Sequence, residues 1–208
     1  MPIKQALKSV YAKPVLFLLC QIPFLGLLWA AFSGNLGVNP IETLTFETGD
    51  WTLRMLLITL AVSPLCQWTR QVGLMRFRRM LGLYTFFYGM CHFSIWFIAD
   101  HSFDFIGMFE DIVKRPYITL GFSALMLMLP LAITSNQWMI RRLGRKWKTL
   151  HKLIYLIIIL GVLHYLWLVK ADYIEPIIYA VIAAILLLHR MEGLKRFLNR
   201  SSRMAGTK

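Results

Sequence analysis

Six stretches of this chain are each apolar for close to the length that an α-helix needs to cross about 30 Å of hydrocarbon at about 1.5 Å per residue. They run roughly over 14–33, 51–69, 80–99, 117–134, 151–169 and 174–190. Hydrocarbon offers no partner for free backbone groups, so spans of this kind must be helical. The pattern predicts an all-α integral membrane protein, a six-transmembrane-helix bundle forming a single domain over residues 1–208. Pro23, Pro64 and Pro130 fall inside spans and are expected to kink them. No internal repeat or low-complexity linker stands out.

Composition agrees with that solvent. Hydrophobic residues make up 58% of the chain and charged residues only 16%, too apolar a balance for a soluble domain of this size. A net charge of +13 would point to nucleic acid in a soluble protein, but here the basic residues collect in alternate loops. All of the 23 Lys and Arg residues except Arg54, Lys114, Arg115 and Lys170 lie before the first span, between spans two and three, between four and five, or after span six. Those groups are Lys4, Lys8 and Lys13; Arg70, Arg76, Arg78 and Arg79; Arg141 to Lys152; and Arg190 to Lys208. Glu192 is the one acid among them, whereas Glu42, Glu47, Asp50, Asp100, Asp104, Glu110, Asp111, Asp172 and Glu175 sit on the opposite side. The positive-inside rule therefore predicts cytoplasmic N- and C-termini and no nucleic-acid partner.

Sequence motifs exclude more than they include. Cys20, Cys66 and Cys91 are scattered through apolar runs, without metal-site spacing or a disulfide framework. Cys91 precedes His92, but Tyr88 stands where the first cysteine of a covalent haem motif would be, so any haem should be non-covalent and b-type. No dinucleotide fingerprint or phosphate-binding loop occurs, and no loop is long enough for a nicotinamide domain. The first apolar run lacks a small-residue cleavage pattern and reads as a full span.

Five histidines then need an account. Counted from the predicted cytoplasmic ends, His92 lies twelve residues into span three and His164 thirteen into span five. Both are thus about 18–20 Å deep. Two imidazoles at one depth on parallel helices suit the two faces of a haem iron, and a helix–helix hydrogen bond is the plainer alternative for each. His151 lies at the cytoplasmic edge, about 20 Å along the axis from His164, where a second haem or a flavin would make a two-step ladder. Thirteen residues of ideal helix leave His151 and His164 about 140° apart in projection, so they need not face the same neighbour. His101 and His189 are expected at surfaces. Met80 and Met139 are possible axial ligands that their spacing does not single out.

The segments RRMLGLYTFFYGMCH (78–92), KRPYITLGF (114–122) and TSNQWMIRRLGRKWKTLHKLIYL with HYLW (134–167) resemble the MsrQ family, formerly YedZ, of the ferric reductase-like transmembrane superfamily, over essentially the whole chain. The resemblance implies a bacterial inner-membrane cytochrome b with one or two haem b groups and FMN. It implies that electrons arrive from the quinone pool or a cytosolic flavin reductase and leave for MsrP, a periplasmic molybdopterin enzyme that reduces methionine sulfoxide in oxidised proteins. By position, His92, His151 and His164 match the family's haem histidines. The wider superfamily carries a fourth histidine where this chain has Arg78, which cannot ligate iron but suits a propionate or flavin phosphate. Such a protein is an electron-transfer subunit rather than a stand-alone enzyme. Two other classes remain at this point: a transmembrane reductase of ferric iron or oxygen working with a separate flavoprotein, and a non-redox membrane bundle.

Overall fold

The computed structural model describes residues 9–205, with side chains described as far as Arg190. Lys4, Lys8 and Lys208, used above for topology, lie outside the described residues, and the side chains of Glu192, Lys195, Arg196, Arg200 and Arg203 lie beyond those described.

Among the described residues there is no strand. The helices are α1 (Ala12–Phe32), α2 (Pro40–Thr69), α3 (Arg78–Ile95), α4 (Phe105–Lys114), α5 (Pro116–Ile133), α6 (Gln137–Leu143), α7 (Arg145–Leu150), α8 (Ile154–Leu168) and α9 (Ile174–Ala205). A 3-10 turn, Val72–Phe77, leads into α3, a π turn, Trp96–Asp100, ends it, and a 3-10 turn, His151–Leu153, joins α7 to α8. Local chemistry explains the breaks. Pro40 and Pro116 open α2 and α5 at positions where a missing N–H is harmless. Asp104 caps α4 by accepting from the Ile106 N–H, and Asn136 caps α6 by accepting from the Met139 N–H. Arg70 ends α2 in the left-handed region at φ 55°, and Gly144, at φ 51°, separates α6 from α7.

Among the described residues four runs are long and apolar enough to cross a membrane: Ala12–Phe32, Val72–Asp100, Pro116–Ile133 and Arg145–Leu168. Their outer faces carry exposed Leu18, Trp29, Ile133, Leu163 and Trp167, surface that water would not tolerate in such continuity. The chain is a multi-pass membrane protein. The other two expected spans fall on α2 and α9. Helix α2 starts eleven residues before the expected position 51, because Asn39-Pro40 begins a helix whose first half carries Glu42, Glu47, Asp50 and Arg54. Helix α9 likewise runs past position 190.

Helix α2 is the hub. On one side Leu53, Leu56, Leu57 and Leu60 pack with Leu125 and Met128 of α5, Ile157 and Ile158 of α8, and Leu186 of α9. On the other, Met55 and Val62 pack with Cys20 of α1 and with Leu81, Tyr84 and Tyr88 of α3. Buried Thr48, Thr59, Thr85 and Thr134 turn their hydroxyls back to carbonyls four residues earlier, so none enters the core unsatisfied. Arg54, in the middle of α2, is held by the Tyr179 hydroxyl at 2.8 Å and by Asp50 at 3.1 Å.

Candidate cofactor site

Near each end of the hub a cavity lies between the helices. The larger, about 620 Å³, opens toward the side carrying Glu42, Asp50 and Asp100, and both His92 and His164 line it. Their ring centres stand 6.2 Å apart with planes at 80°. His92 reaches the cavity from α3 and His164 from α8, while α2 and α5 supply the opposing backbone. His92 donates Nδ1–H to the Thr45 carbonyl at 2.8 Å, and His164 donates Nδ1–H to the Tyr117 carbonyl at 2.7 Å. A carbonyl can only accept, so each ring carries its proton on Nδ1 and keeps its free lone pair on Nε2.

That is the state in which imidazole binds a metal, its other nitrogen anchored to a backbone oxygen. Two metal–nitrogen bonds of about 2.0–2.1 Å in line, with about 1.1 Å from each nitrogen to its ring centre, span about 6.3 Å. The observed separation matches. Close approach of each ring also depends on a glycine: a Cβ at Gly49 would lie 3.1 Å from His92 Nδ1, and one at Gly121 would lie 2.8 Å from His164 Nδ1. The residues therefore fit an iron held from two sides, with Phe93, Trp96 and Phe122 supplying flat apolar wall. At the mouth Arg115, bonded to the Tyr117 hydroxyl and beside Asp111, has its pKa raised and stays cationic. Among the described residues no group of three His, Cys, Asp or Glu side chains could form a separate metal centre.

The smaller cavity, about 480 Å³, holds His151 and Arg78 together. Arg79, Lys148, Lys152 and Arg190 also line it, and among the residues with described side chains no acidic one does. His151 stacks on Trp147 with ring centres 3.9 Å apart, and its Nε2 lies 3.4 Å from the Ser135 hydroxyl. Its Nδ1 is buried without a partner. No second imidazole lines this cavity; Met75 contributes a thioether. The residues fit a flat anionic group resting near His151 better than an iron held by two histidines. Leu56, Met128 and Ile157 line both cavities and form the apolar wall between them.

The other sequence candidates lie elsewhere. His101 packs against Trp96 and within 3.5 Å of Asp111, and His189 packs against Trp68. Met80 joins the α1–α3 core and lines neither cavity; Met139 sits on α6. The angular objection to His151 dissolves because residues 151–153 form a 3-10 turn before α8, so His151 and His164 do not share one ideal helix. Gly49, Gly121, Trp147 and Arg190 were not singled out from sequence. The signal for the glycines was their repeated spacing from Thr45 and His92 and from Tyr117 and His164.

Comparison with known proteins decides the family. The model of the ferric reductase like transmembrane component matches residues 48–162, which include His92 and His151. A relative from Herminiimonas arsenicoxydans, named protein-methionine-sulfoxide reductase heme-binding subunit MsrQ, is 46% identical over 94% of this chain and 91% of its own length. The chain belongs to the MsrQ family. Further MsrQ proteins with the same descriptive name come from Ralstonia nicotianae, 51% identical over 82% of this chain and 80% of the relative, and from Bordetella pertussis, 45% identical over 84% and 86%. No solved structure matches the chain.

Proposed function

We propose that this MsrQ-family chain is a b-type cytochrome subunit that carries electrons across the bacterial inner membrane to a periplasmic MsrP-type molybdoenzyme, which repairs oxidised methionines in periplasmic proteins. The observation that carries this reading is the His92–His164 pair: 6.2 Å between ring centres, with each Nδ1 tied to a backbone carbonyl. In this reading the bundle has six spans, α2 and α9 included, and both termini are cytoplasmic. The acidic side, with Asp100 and Asp104, then faces the periplasm, and the basic cavity faces the cytoplasm.

His92 and His164 would hold one haem b, whose iron would supply one-electron oxidation and reduction. Phe93 and Phe122 exclude water, Thr45 and Tyr117 keep the ligand protons on Nδ1, and Arg115 offers a cation at the mouth for a carboxylate. In the second cavity Arg78, Arg79 and Arg190 would receive an anionic group, with Trp147 and Phe86 also lining the space. FMN, with its phosphate, suits that chemistry; a second haem would draw one ligand from His151. The donor is the quinone pool or a cytosolic flavin reductase. A non-redox bundle would explain the two carbonyl bonds, but it would give no reason for the two rings to line one cavity at the separation an iron needs.

The test is the haem-to-protein ratio and reduced spectrum of the purified protein and of His92→Ala, His164→Ala and His151→Ala. The expected result is a b-type spectrum that is lost or converted in the first two variants and keeps the His92–His164 haem in the third. Purification without haem absorbance, or unchanged spectra in His92→Ala and His164→Ala, would overturn the proposal.

A further inference from the structure

One local arrangement occurs twice in the bundle. On α2 the Thr45 carbonyl and, four residues on, Gly49 receive His92 of α3. On α5 the Tyr117 carbonyl and, four residues on, Gly121 receive His164 of α8. Carbonyl and histidine are 47 residues apart in both copies. A second constant interval, 72 residues, separates Thr45 from Tyr117, Gly49 from Gly121 and His92 from His164. The two helix pairs thus present their histidines by one device, used once from each side of the cavity.

The device depends on an absent side chain. A Cβ on Gly49 would meet His92 Nδ1 at 3.1 Å and Cε1 at 3.2 Å; one on Gly121 would meet His164 Nδ1 at 2.8 Å and Cε1 at 2.9 Å. Gly26 of α1, by contrast, has nothing within 4 Å of its Cβ position. Each ring lies in the gap its glycine leaves and points its N–H at a helical carbonyl, whose second lone pair is available beyond its own helical bond. Rotation about χ2 would drive the ring into the glycine's helix and break that bond. The plane of each imidazole is therefore held, and the two planes stand at 80°.

We propose that Gly49 and Gly121 are positioning residues that lock the His92 and His164 imidazole planes nearly perpendicular to each other, and so set the electronic structure of the iron these rings hold. This rests on the reading of His92 and His164 as the axial pair. Parallel axial imidazoles split the iron d orbitals that overlap their π systems; perpendicular ones leave those orbitals close in energy. A perpendicular pair gives a low-spin ferric centre with one very large principal g value. Outer contacts of this kind tune a haem without touching it.

Low-temperature EPR of the purified ferric protein tests this, with Gly49→Ala, Gly121→Ala and, as a control, Gly26→Ala. The wild type and Gly26→Ala should show a strongly anisotropic low-spin signal. Both cradle variants should move toward the rhombic pattern of less crossed planes, Gly121→Ala further than Gly49→Ala because its contact is shorter. The reduction midpoint should shift in the same order. Where Gly121→Ala fails to take up haem, Gly49→Ala carries the test, since its ring needs to give by only a few tenths of an ångström. A rhombic wild-type signal, or an unchanged signal in Gly49→Ala with haem retained, overturns the positioning role while leaving the ligand pair intact. Unchanged spectra in His92→Ala and His164→Ala overturn the ligand reading itself.

Discussion

Replacing Tyr88 by Phe should weaken the seating of the first helix by an amount the structure allows one to bound. Tyr88 is fully buried, and its hydroxyl donates to the Cys20 carbonyl at 2.8 Å and accepts from the Phe24 N–H at 3.2 Å. Cys20 and Phe24 are the pair an undistorted helix would join directly, and Pro23 lies between them. The phenol of α3 thus bridges the α1 ladder beside its proline. Removing one oxygen keeps the ring packing and strands one donor and one acceptor. A buried polar group left alone costs about 1–3 kcal/mol. Hydrogen bonds between membrane helices measure lower, about 0.6 kcal/mol on average and about 1.7 at most. Partial closure of Phe24 N–H onto the Cys20 carbonyl would return part of the loss, so the net destabilisation should be about 1–2 kcal/mol. Tyr84→Phe should lose less, because its hydroxyl, which donates to the Phe17 carbonyl at 3.0 Å and also meets the Gln21 side chain, bridges no helical pair interrupted by a proline. The assay is reversible unfolding in mixed micelles with the haem spectrum recorded alongside, which should not change because Tyr88 lines neither cavity. Equal midpoints for wild type and Tyr88→Phe, or a larger loss in Tyr84→Phe, would refute this account of the α1–α3 contact.

Three further outcomes follow from the two cavities. Ile157, 1% exposed in the wall between them, should lose about 2–5 kcal/mol of stability as Ile157→Ala, measured by the same unfolding series. Arg190 bonds Ser63 at 2.6 Å and Tyr155 at 3.3 Å; Arg190→Met should loosen α9 against α2 and α8 and lower occupancy of the basic cavity, read as flavin or haem content, while the signal of the His92–His164 haem persists. If the proposed periplasmic enzyme docks on the acidic side, charge reversal at Asp100 and Asp104 should raise the apparent KM for it, most at low salt; an unchanged KM with haem intact would count against that contact.

Depth was legible in the sequence because helical rise converts residue counts to distance. Twelve residues to His92 and thirteen to His164 predicted one level, and the rings stand 6.2 Å apart. What hides from counting is rotation. The 140° between His151 and His164 assumed one uninterrupted helix, and the 3-10 turn at His151–Leu153 removes that premise. Hydropathy located α2 by its apolar half and missed its start at Pro40, because a hydropathy window responds to solvent and a helix continues wherever its backbone bonds do. The amphipathic α4 was read as loop for the same reason, although Asp104 marked its cap. Gly49 and Gly121 carried a signal in their matched spacing from Thr45 and His92, and from Tyr117 and His164. A repeat of three positions is invisible to a search for similar segments, and only the fold gives it meaning.

The central claim is that one iron is held by both His92 and His164. Ferric EPR of the haem-loaded protein with ¹⁵N-labelled histidine, resolving hyperfine coupling to the axial nitrogens, tests it most directly. The account predicts two coupled imidazole nitrogens in the wild type and one in each of His92→Ala and His164→Ala, with conversion of the low-spin signal to high spin. A wild type with a single coupled imidazole, or two couplings that survive either substitution, would contradict it.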